Sequence, residues 1–264
     1  MSESLGWKDR IQPDESIFEK RRFRNDVKAI AASSIAAQYF CEMKVEQGFI
    51  HGEVETEAKI EGDVLHEQLL EMRPTTREKL IEGIEKRKLF IASFPLATEF
   101  EQLVLVGVPD AVVFQDGRPT HLIELKTTRG DPAVVYDDQR AQVNVYGLLL
   151  DEMGFNCSGL KMIIVKFRRQ NSMSAEEKSE FLQILTGALV SKMNLGELAQ
   201  QSENGIVVHT LDYERDSSIR TLNQTMGYWL GEREPVPTTN PNKCRACEFK
   251  EVCPSSLVRR SRAN

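Results

Sequence analysis

The 264-residue sequence lacks any apolar run near the ~20 residues that a membrane-spanning helix requires. It also lacks an apolar stretch behind its basic N-terminal segment, which argues against a secretory signal. We therefore expect a cytoplasmic protein with no membrane contact. An excess of basic residues is missing too, because the formal net charge is -6 at pH 7. This charge excludes a uniformly basic nucleic-acid coat, although it allows a local basic channel.

Cysteine is scarce, with 5 residues in the chain, but its spacing is informative. Cys244, Cys247 and Cys253 lie close together near the C-terminus, whereas Cys41 lies far upstream. In a reducing compartment, clustered cysteines point to metal or redox chemistry rather than to disulfides. A four-cysteine zinc site and unligated thiols are both open at this point. Cys157 falls outside the pattern and is expected to be an ordinary small side chain.

The order of periodic segments predicts an α/β protein with a central mixed β-sheet flanked by helices. We expect a polar N-terminal arm over 1–26, one domain over 27–254 and a basic tail over 255–264. Hydrophobic spacing and capping signals place the helices first, then a strand pair, and then alternating strands and helices. Helices are predicted through 35–41 and over 63–72, 76–90, 139–153, 174–198 and 217–230, and strands over 100–114, 121–127, 160–168 and 206–211.

The strand pair forms a predicted hairpin that carries the most informative residues. If the hairpin is centred on Gly117, Asp110 lies directly opposite Glu124, with Cβ atoms about 4.5 to 5.5 Å apart. Because side chains alternate along a strand, Lys126 projects to the same face as Glu124, and Leu125 points into the other layer. Two facing carboxylates can share Mg²⁺ or Mn²⁺, and a neighbouring lysine can orient water for phosphodiester hydrolysis. A solvated ion pair on a surface hairpin is the alternative.

Two helical pairs accompany the hairpin. His66 follows Gly62 by one helical turn, where the missing side chain leaves room for the imidazole. Gln142 and Tyr146 share one face of a later helix. Each pair alone is also compatible with ordinary helix packing.

Taken in order, Gly62-x-x-x-His66, Gly107-x-x-Asp110, Glu124-x-Lys126 and Gln142-x-x-x-Tyr146 resemble the RecB-like branch of the PD-(D/E)XK nuclease superfamily. The resemblance implies a restriction-endonuclease-like core. It also implies metal binding by His66, Asp110, Glu124 and the carbonyl of Leu125. Lys126 would be the catalytic lysine, and Gln142 and Tyr146 would position the substrate or that lysine.

The cysteine pattern resembles the iron–sulfur nucleases, namely the Cas-four family of CRISPR-associated exonucleases, AddB, exonuclease V and the eukaryotic flap-processing helicase-nuclease. This resemblance implies a [4Fe-4S] cluster held by Cys41, Cys244, Cys247 and Cys253, in a subdomain that joins the N- and C-terminal segments. The absence of a helicase or P-loop motif favours the Cas-four type.

That type implies a metal-dependent exonuclease that prefers single-stranded DNA ends and trims them for CRISPR spacer acquisition beside integrase subunits. A stand-alone exonuclease V-like repair nuclease is an alternative. A non-cleaving DNA-end-binding subunit of an integration complex is another.

Basic residues near these elements predict a path for DNA phosphates, and three aromatic side chains could stack on bases if exposed. The basic residues are Lys161, Lys166, Arg168, Arg169, Lys243, Arg245, Lys250, Arg259, Arg260 and Arg262, and the aromatic ones are Tyr136, Trp229 and Phe249.

Overall fold

The computed structural model describes residues 7–11, 15–52, 54, 75–128, 130–168 and 206–258. Two short 3-10 helices, Glu15–Phe18 and Arg24–Asp26, precede the first strand. The strands are β1 (Ile30–Ala31), β2 (Phe90–Ala92), β3 (Leu96–Phe100), β4 (Leu103–Gly107), β5 (Ala111–Gln115), β6 (Arg118–Thr128), β7 (Lys161–Arg168) and β8 (Ile206–Asp212). The helices are α1 (Trp7–Arg10), α2 (Ala32–Phe40), α3 (Glu42–His51), α4 (Arg77–Glu85), α5 (Asp137–Glu152), α6 (Arg215–Trp229) and α7 (Pro241–Ala246). The helices predicted over 63–72 and 174–198, with His66, lie outside the described residues.

The strands form two mixed sheets rather than the single central sheet predicted from the sequence. The larger sheet has the order β2-β5-β6-β7-β8, and its β6–β7 pair is parallel. The smaller sheet has the order β1-β4-β3, with β1 parallel to β4. The predicted run over 100–114 is divided because a turn at Glu101, with φ 51°, folds β4 back on β3. Non-strand residues 108–110 then separate β4 from β5, so each strand joins a different sheet.

Helix α5 lies against both sheets and also packs against α2 and α6. Its apolar side chains are buried almost all round, as expected for a helix enclosed by other elements. Gly154, with φ 87°, follows the end of this helix in a conformation that favours glycine. The face of α5 toward the larger sheet therefore has a fixed position. No helix in the described parts of the chain is both long and apolar enough to cross a membrane.

The N-terminal segment packs more closely than a polar arm would. Ile11 and Phe23 are buried in the core. The Trp7 ring stacks on Phe155 with 5.7 Å between ring centroids. Burial of these apolar side chains attaches the described part of this segment to the rest of the domain.

A buried carboxylate connects α3 to the chain that follows α6. Glu42 accepts hydrogen bonds from Arg233 at 2.6 Å, from the Gln38 amide at 2.8 Å and from the Val236 backbone N–H at 2.6 Å. Burial alone would raise the pKa of Glu42, but the bonds from Arg233, Gln38 and Val236 outweigh it and lower this pKa. The ionised form therefore stabilises the fold.

We expect Glu42→Gln to lower the free energy of unfolding at pH 7 by about 1–3 kcal/mol, because Arg233 loses its charged partner. A lowered folded-state pKa means that this stabilisation is complete above the unfolded-state value and is lost as the pH falls through the folded-state value. The difference between variant and wild type in urea unfolding should therefore shrink as the pH falls from 7 to below the ordinary value of 4.5. Glu19→Gln, in an exposed pair with Lys28, is the control and should change little. An equal difference at every pH would contradict this role of the Glu42 charge.

Candidate functional site

The β5–β6 hairpin brings two carboxylates together at the end of the pairing between the two strands. Ala111 pairs with Ile123 and Val112 pairs with Leu122, so Asp110, immediately before β5, lies beside Glu124. Asp110 Oδ2 accepts a hydrogen bond from the Leu125 backbone N–H at 2.6 Å. Both carboxylates are buried, which allows their charges to act strongly on neighbouring groups.

The Lys126 side chain extends from strand β6 toward helix α5. Its Nζ atom donates to Glu124 Oε1 at 2.6 Å and to Gln142 Oε1 at 2.9 Å. Burial would lower the pKa of Lys126, but the negative charges of Glu124, Asp110 and Asp138 outweigh it and raise this pKa. The ammonium group therefore stays protonated at neutral pH.

Gln142 and Tyr146 complete a chain of hydrogen bonds on the α5 face. Gln142 Nε2 donates to Glu124 Oε1 at 2.8 Å and to Tyr146 Oη at 3.0 Å. Tyr146 Oη in turn donates to the Val108 carbonyl at 3.2 Å. Burial, and then the charge of Glu124, raise the pKa of Tyr146, so the phenol stays protonated. This chain holds Glu124 and Lys126 in one arrangement.

Gly107 makes room for the Tyr146 ring. A Cβ atom at Gly107 would lie 2.5 Å from Tyr146 Cε1. Tyr146 is buried and hydrogen-bonded at its far end, so the ring cannot move aside without breaking that bond. This close approach gives Gly107 a physical role in the site.

We therefore expect Gly107→Ala to lower the free energy of unfolding by about 1–3 kcal/mol, as overpacking of a core does. It should also weaken any activity that depends on Gln142 and Tyr146. Gly48→Ala, within helix α3, is the matched control because its added Cβ would meet Phe249 at 3.9 Å, an ordinary contact. That control should stabilise the helix slightly. Equal thermal stability of the two variants would contradict the role of Gly107.

The structure brings together most of the predicted site residues. Asp110, Glu124, Lys126, Gln142 and Tyr146 form one cluster, and the backbone of Leu125 lies within it. His66, the remaining predicted metal ligand, lies outside the described residues. Among the residues that are described, no group of three or more His, Cys, Asp or Glu is arranged to hold a metal ion.

The four cysteines of the predicted cluster line one pocket. Cys41 lies between α2 and α3, Cys244 lies on α7, and Cys247 and Cys253 follow that helix. All are free thiols. Burial raises the pKa of Cys247 to about 11, and burial followed by the charges of Cys41 and Cys244 raises the pKa of Cys253. Cys157 is buried outside this pocket, as expected for a packing residue.

Polar contacts hold the two ends of the chain around this pocket. The Thr238 backbone N–H donates to Cys41 Sγ at 3.3 Å. Lys243 Nζ donates to the Tyr39 carbonyl at 2.9 Å. Lys44 pairs with Glu248 at 3.1 Å. These contacts therefore hold together the chain segments that carry the four thiols.

Several residues predicted to contact DNA are buried or paired with other side chains. Lys161 pairs with Asp212, and Lys166 is fully buried. Trp229 and Phe249 are also buried, which rules out base stacking by either ring in this conformation. Tyr136, with 43% of its surface exposed, remains available.

Three contacts were missed by the sequence interpretation. The Val108 carbonyl, which holds Tyr146, and the Thr238 N–H, which contacts Cys41, are backbone groups without a residue-type signal. The contact between Lys166 and the loop before α5 was missed because a lysine in a strand suggests exposure. Its position within the apolar strand β7 was the available indication of burial.

Comparison with known proteins gives a family match over most of the chain. The family model described as the PD-(D/E)XK nuclease superfamily matches residues 15–254. A solved structure titled "Crystal structure of SSO0001" is 16% identical, with a TM-score of 0.49 and coverage of 95% of each chain. Rai1 from Scheffersomyces stipitis, solved with (3'-NADP)+ and calcium ion, is 11% identical with a TM-score of 0.18, covering 81% of this chain and 74% of that chain. Both TM-scores lie below 0.5, so the assignment rests on the family model alone.

Proposed function

The chain belongs to the PD-(D/E)XK nuclease superfamily, and we propose that it is a metal-dependent deoxyribonuclease whose reaction centre is Asp110, Glu124 and Lys126. One observation carries the proposal. Two buried carboxylates meet at the end of a hairpin, and a protonated lysine on the same strand contacts one of them. A surface ion pair, the alternative interpretation, would not bury both carboxylates.

The donor set suits a hard divalent cation such as Mg²⁺ or Mn²⁺, which prefers carboxylate and carbonyl oxygens. Asp110 and Glu124 would hold the ion, and we extend the set to the Leu125 carbonyl and to His66 by resemblance. When bound, such an ion supplies positive charge beside the scissile phosphate and acidifies the attacking water.

The remaining residues orient the catalytic side chains and neutralise the negative charge that develops during the reaction. The Lys126 ammonium lies where it can donate to a phosphate oxygen or to the attacking water as negative charge develops. Gln142 fixes that ammonium through its carbonyl oxygen and fixes Glu124 through its amide. Tyr146 stays protonated and holds the Gln142 amide in this orientation.

The cysteine pocket supports a [4Fe-4S] cluster as the second cofactor. The four thiols line one pocket. Cysteine thiolates are the usual ligands of iron–sulfur clusters, and the spacing of these four cysteines resembles that of the iron–sulfur nucleases. The cluster would join residue 41 to residues 244–253 as a structural tie.

The finer proposal is an exonuclease that prefers single-stranded DNA ends, with a Cas-four-like role in CRISPR spacer acquisition beside integrase subunits. The motif order and the cysteine pattern support it. The nuclease domain would occupy 27–254, with a basic tail over 255–264. A stand-alone exonuclease V-like repair nuclease fits the same residues. A non-cleaving DNA-end-binding subunit fits less well, because it has no physical need for two buried carboxylates beside a charged lysine.

The test is digestion of end-labelled linear and circular single-stranded DNA by anaerobically purified protein, with Mg²⁺, Mn²⁺ or EDTA. We expect metal-dependent loss of the linear strand only, and no loss with Glu124→Gln, which keeps the shape of the side chain. Cutting of the circular strand would show that the protein is an endonuclease and not an exonuclease. Failure of cluster-loaded wild type to cut either substrate would favour the binding subunit.

A further inference from the structure

An exposed aromatic ring covers a buried lysine beside the proposed reaction centre. Tyr136, the residue before α5, lies with its ring centroid 4.6 Å from Lys166 Nζ. Lys166 is fully buried, whereas Tyr136 is 43% exposed. The ring therefore has one side over the ammonium and presents other surface to solvent.

This ring lies one strand away from Lys126. Lys126 of β6 and Lys166 of β7 are paired residues in a parallel ladder, so their side chains leave the same face of the sheet. The charge of Asp138 acts on both lysines, which places them within one electrostatic environment. DNA whose phosphate lies at Lys126 would therefore pass close to Tyr136.

The loop that carries Tyr136 is anchored to the sheet and to the first turn of α5. Lys166 Nζ donates to the Val134 carbonyl. His209 Nε2 lies 2.8 Å from the Pro132 carbonyl and is therefore its donor. The Tyr136 backbone N–H donates to Gln139 Oε1 at 3.3 Å. An exposed ring on a loop held in this way loses little conformational freedom when it binds a flat ligand.

Gly130 adds a steric reason for the position of the ring. A Cβ atom at Gly130 would lie 3.0 Å from Tyr136 Oη, closer than nine in ten real Cβ contacts. The absent side chain leaves room for the Tyr136 hydroxyl beside Gly130. The neighbouring Val134 is also exposed and extends the apolar surface.

Resting on the proposed function, we infer that Tyr136 is a stacking platform for one nucleobase of the DNA strand whose phosphate occupies the Asp110–Glu124–Lys126 site. Lys166 is a positioning residue that supports the ring and its loop from below. Because every base has a π-face, the platform grips the strand without reading its sequence. It would fix the distance between a held base and the phosphate at Lys126.

The test measures equilibrium binding of single-stranded oligonucleotides in EDTA, so that it does not depend on cleavage. Each oligonucleotide carries one 2-aminopurine or one abasic site, moved along the strand. At one position, wild type should quench the 2-aminopurine and bind the abasic strand about 5- to 100-fold more weakly than the intact strand. Tyr136→Ala should bind the intact strand as weakly as wild type binds the abasic one, and should lose the quenching. Tyr136→Phe should behave as wild type.

Two further variants separate stacking from general structure. Phe49→Ala removes a similarly exposed ring, 47% exposed on α3, and should leave both signals unchanged. Lys166→Met should reduce the quenching at that position while Tyr136 is intact, because the support beneath the ring is gone. The platform would be overturned if the abasic site weakened binding by the same factor in Tyr136→Ala as in wild type. It would also be overturned if wild type quenched 2-aminopurine at no particular position. Position-specific stacking without metal-dependent cleavage would support the role of Tyr136 and contradict the proposed nuclease activity.

Discussion

Replacing Lys126 with methionine should leave a folded protein whose cleavage of DNA in Mg²⁺ falls by at least about 100-fold. Methionine keeps much of the side-chain volume but has no charge and donates no hydrogen bond. The Glu124 carboxylate and the Gln142 carbonyl both lose the ammonium group that they contact in the wild type. Single-turnover digestion of end-labelled single-stranded DNA, at saturating enzyme, measures the chemical step directly.

The matched control is Lys161→Met, which removes an exposed lysine from neighbouring strand β7. Its rate should stay close to that of wild type. A thermal melt gives a second signal, because Mg²⁺ should raise the melting temperature of Lys126→Met more than that of wild type. The reason is that the ion would replace the lost positive charge beside Glu124 and Asp110. A rate for Lys126→Met within a few-fold of wild type would refute the proposed role of this lysine.

Replacing Cys247 with serine should remove the iron–sulfur absorbance and lower the free energy of unfolding by about 5 kcal/mol. The estimate is the entropy of closing a loop of about 200 residues, which the cluster would otherwise tie between residue 41 and residues 244–253. Anaerobic purification followed by iron and sulfide analysis and urea unfolding measures both effects.

Cys157→Ser is the control, since Cys157 is also a free thiol but lies outside the pocket. That variant should keep its iron and sulfide content. Full iron and sulfide content in Cys247→Ser would exclude Cys247 as a ligand. Stoichiometric zinc without iron in the wild type would show that the four cysteines bind zinc and not an iron–sulfur cluster.

The facing carboxylates show how far a strand pattern predicts a site. Centring the hairpin on Gly117 predicts Asp110 opposite Glu124, and the register at Ala111 and Ile123 agrees with this prediction. The sequence could not show that a register shift between Val113 and Phe114 brings the strands into this alignment. The turn itself is at Asp116 and Gly117, both with positive φ. Without the shift, Asp110 would lie opposite a residue of the other face.

Basic and aromatic side chains were predicted less well than the strands. Lys166, Trp229 and Phe249 are the residue types that contact DNA, yet all three are buried. Residue type reports chemistry, whereas exposure depends on which elements pack over the side chain. Helix α3 was also missed because it follows Cys41 without a side-chain cap.

The sequence by itself determined the family, the strand and helix that carry the candidate reaction centre, and the grouping of cysteines near the C-terminus. These features follow from local spacing, which one segment of chain contains completely. The tertiary structure alone decided that Gln142 reaches Glu124 and Lys126, that Gly107 leaves room for Tyr146, and that Cys41 lines the same pocket as the C-terminal cysteines. Each of these depends on packing between distant segments, where sub-ångström fit and burial decide which groups meet.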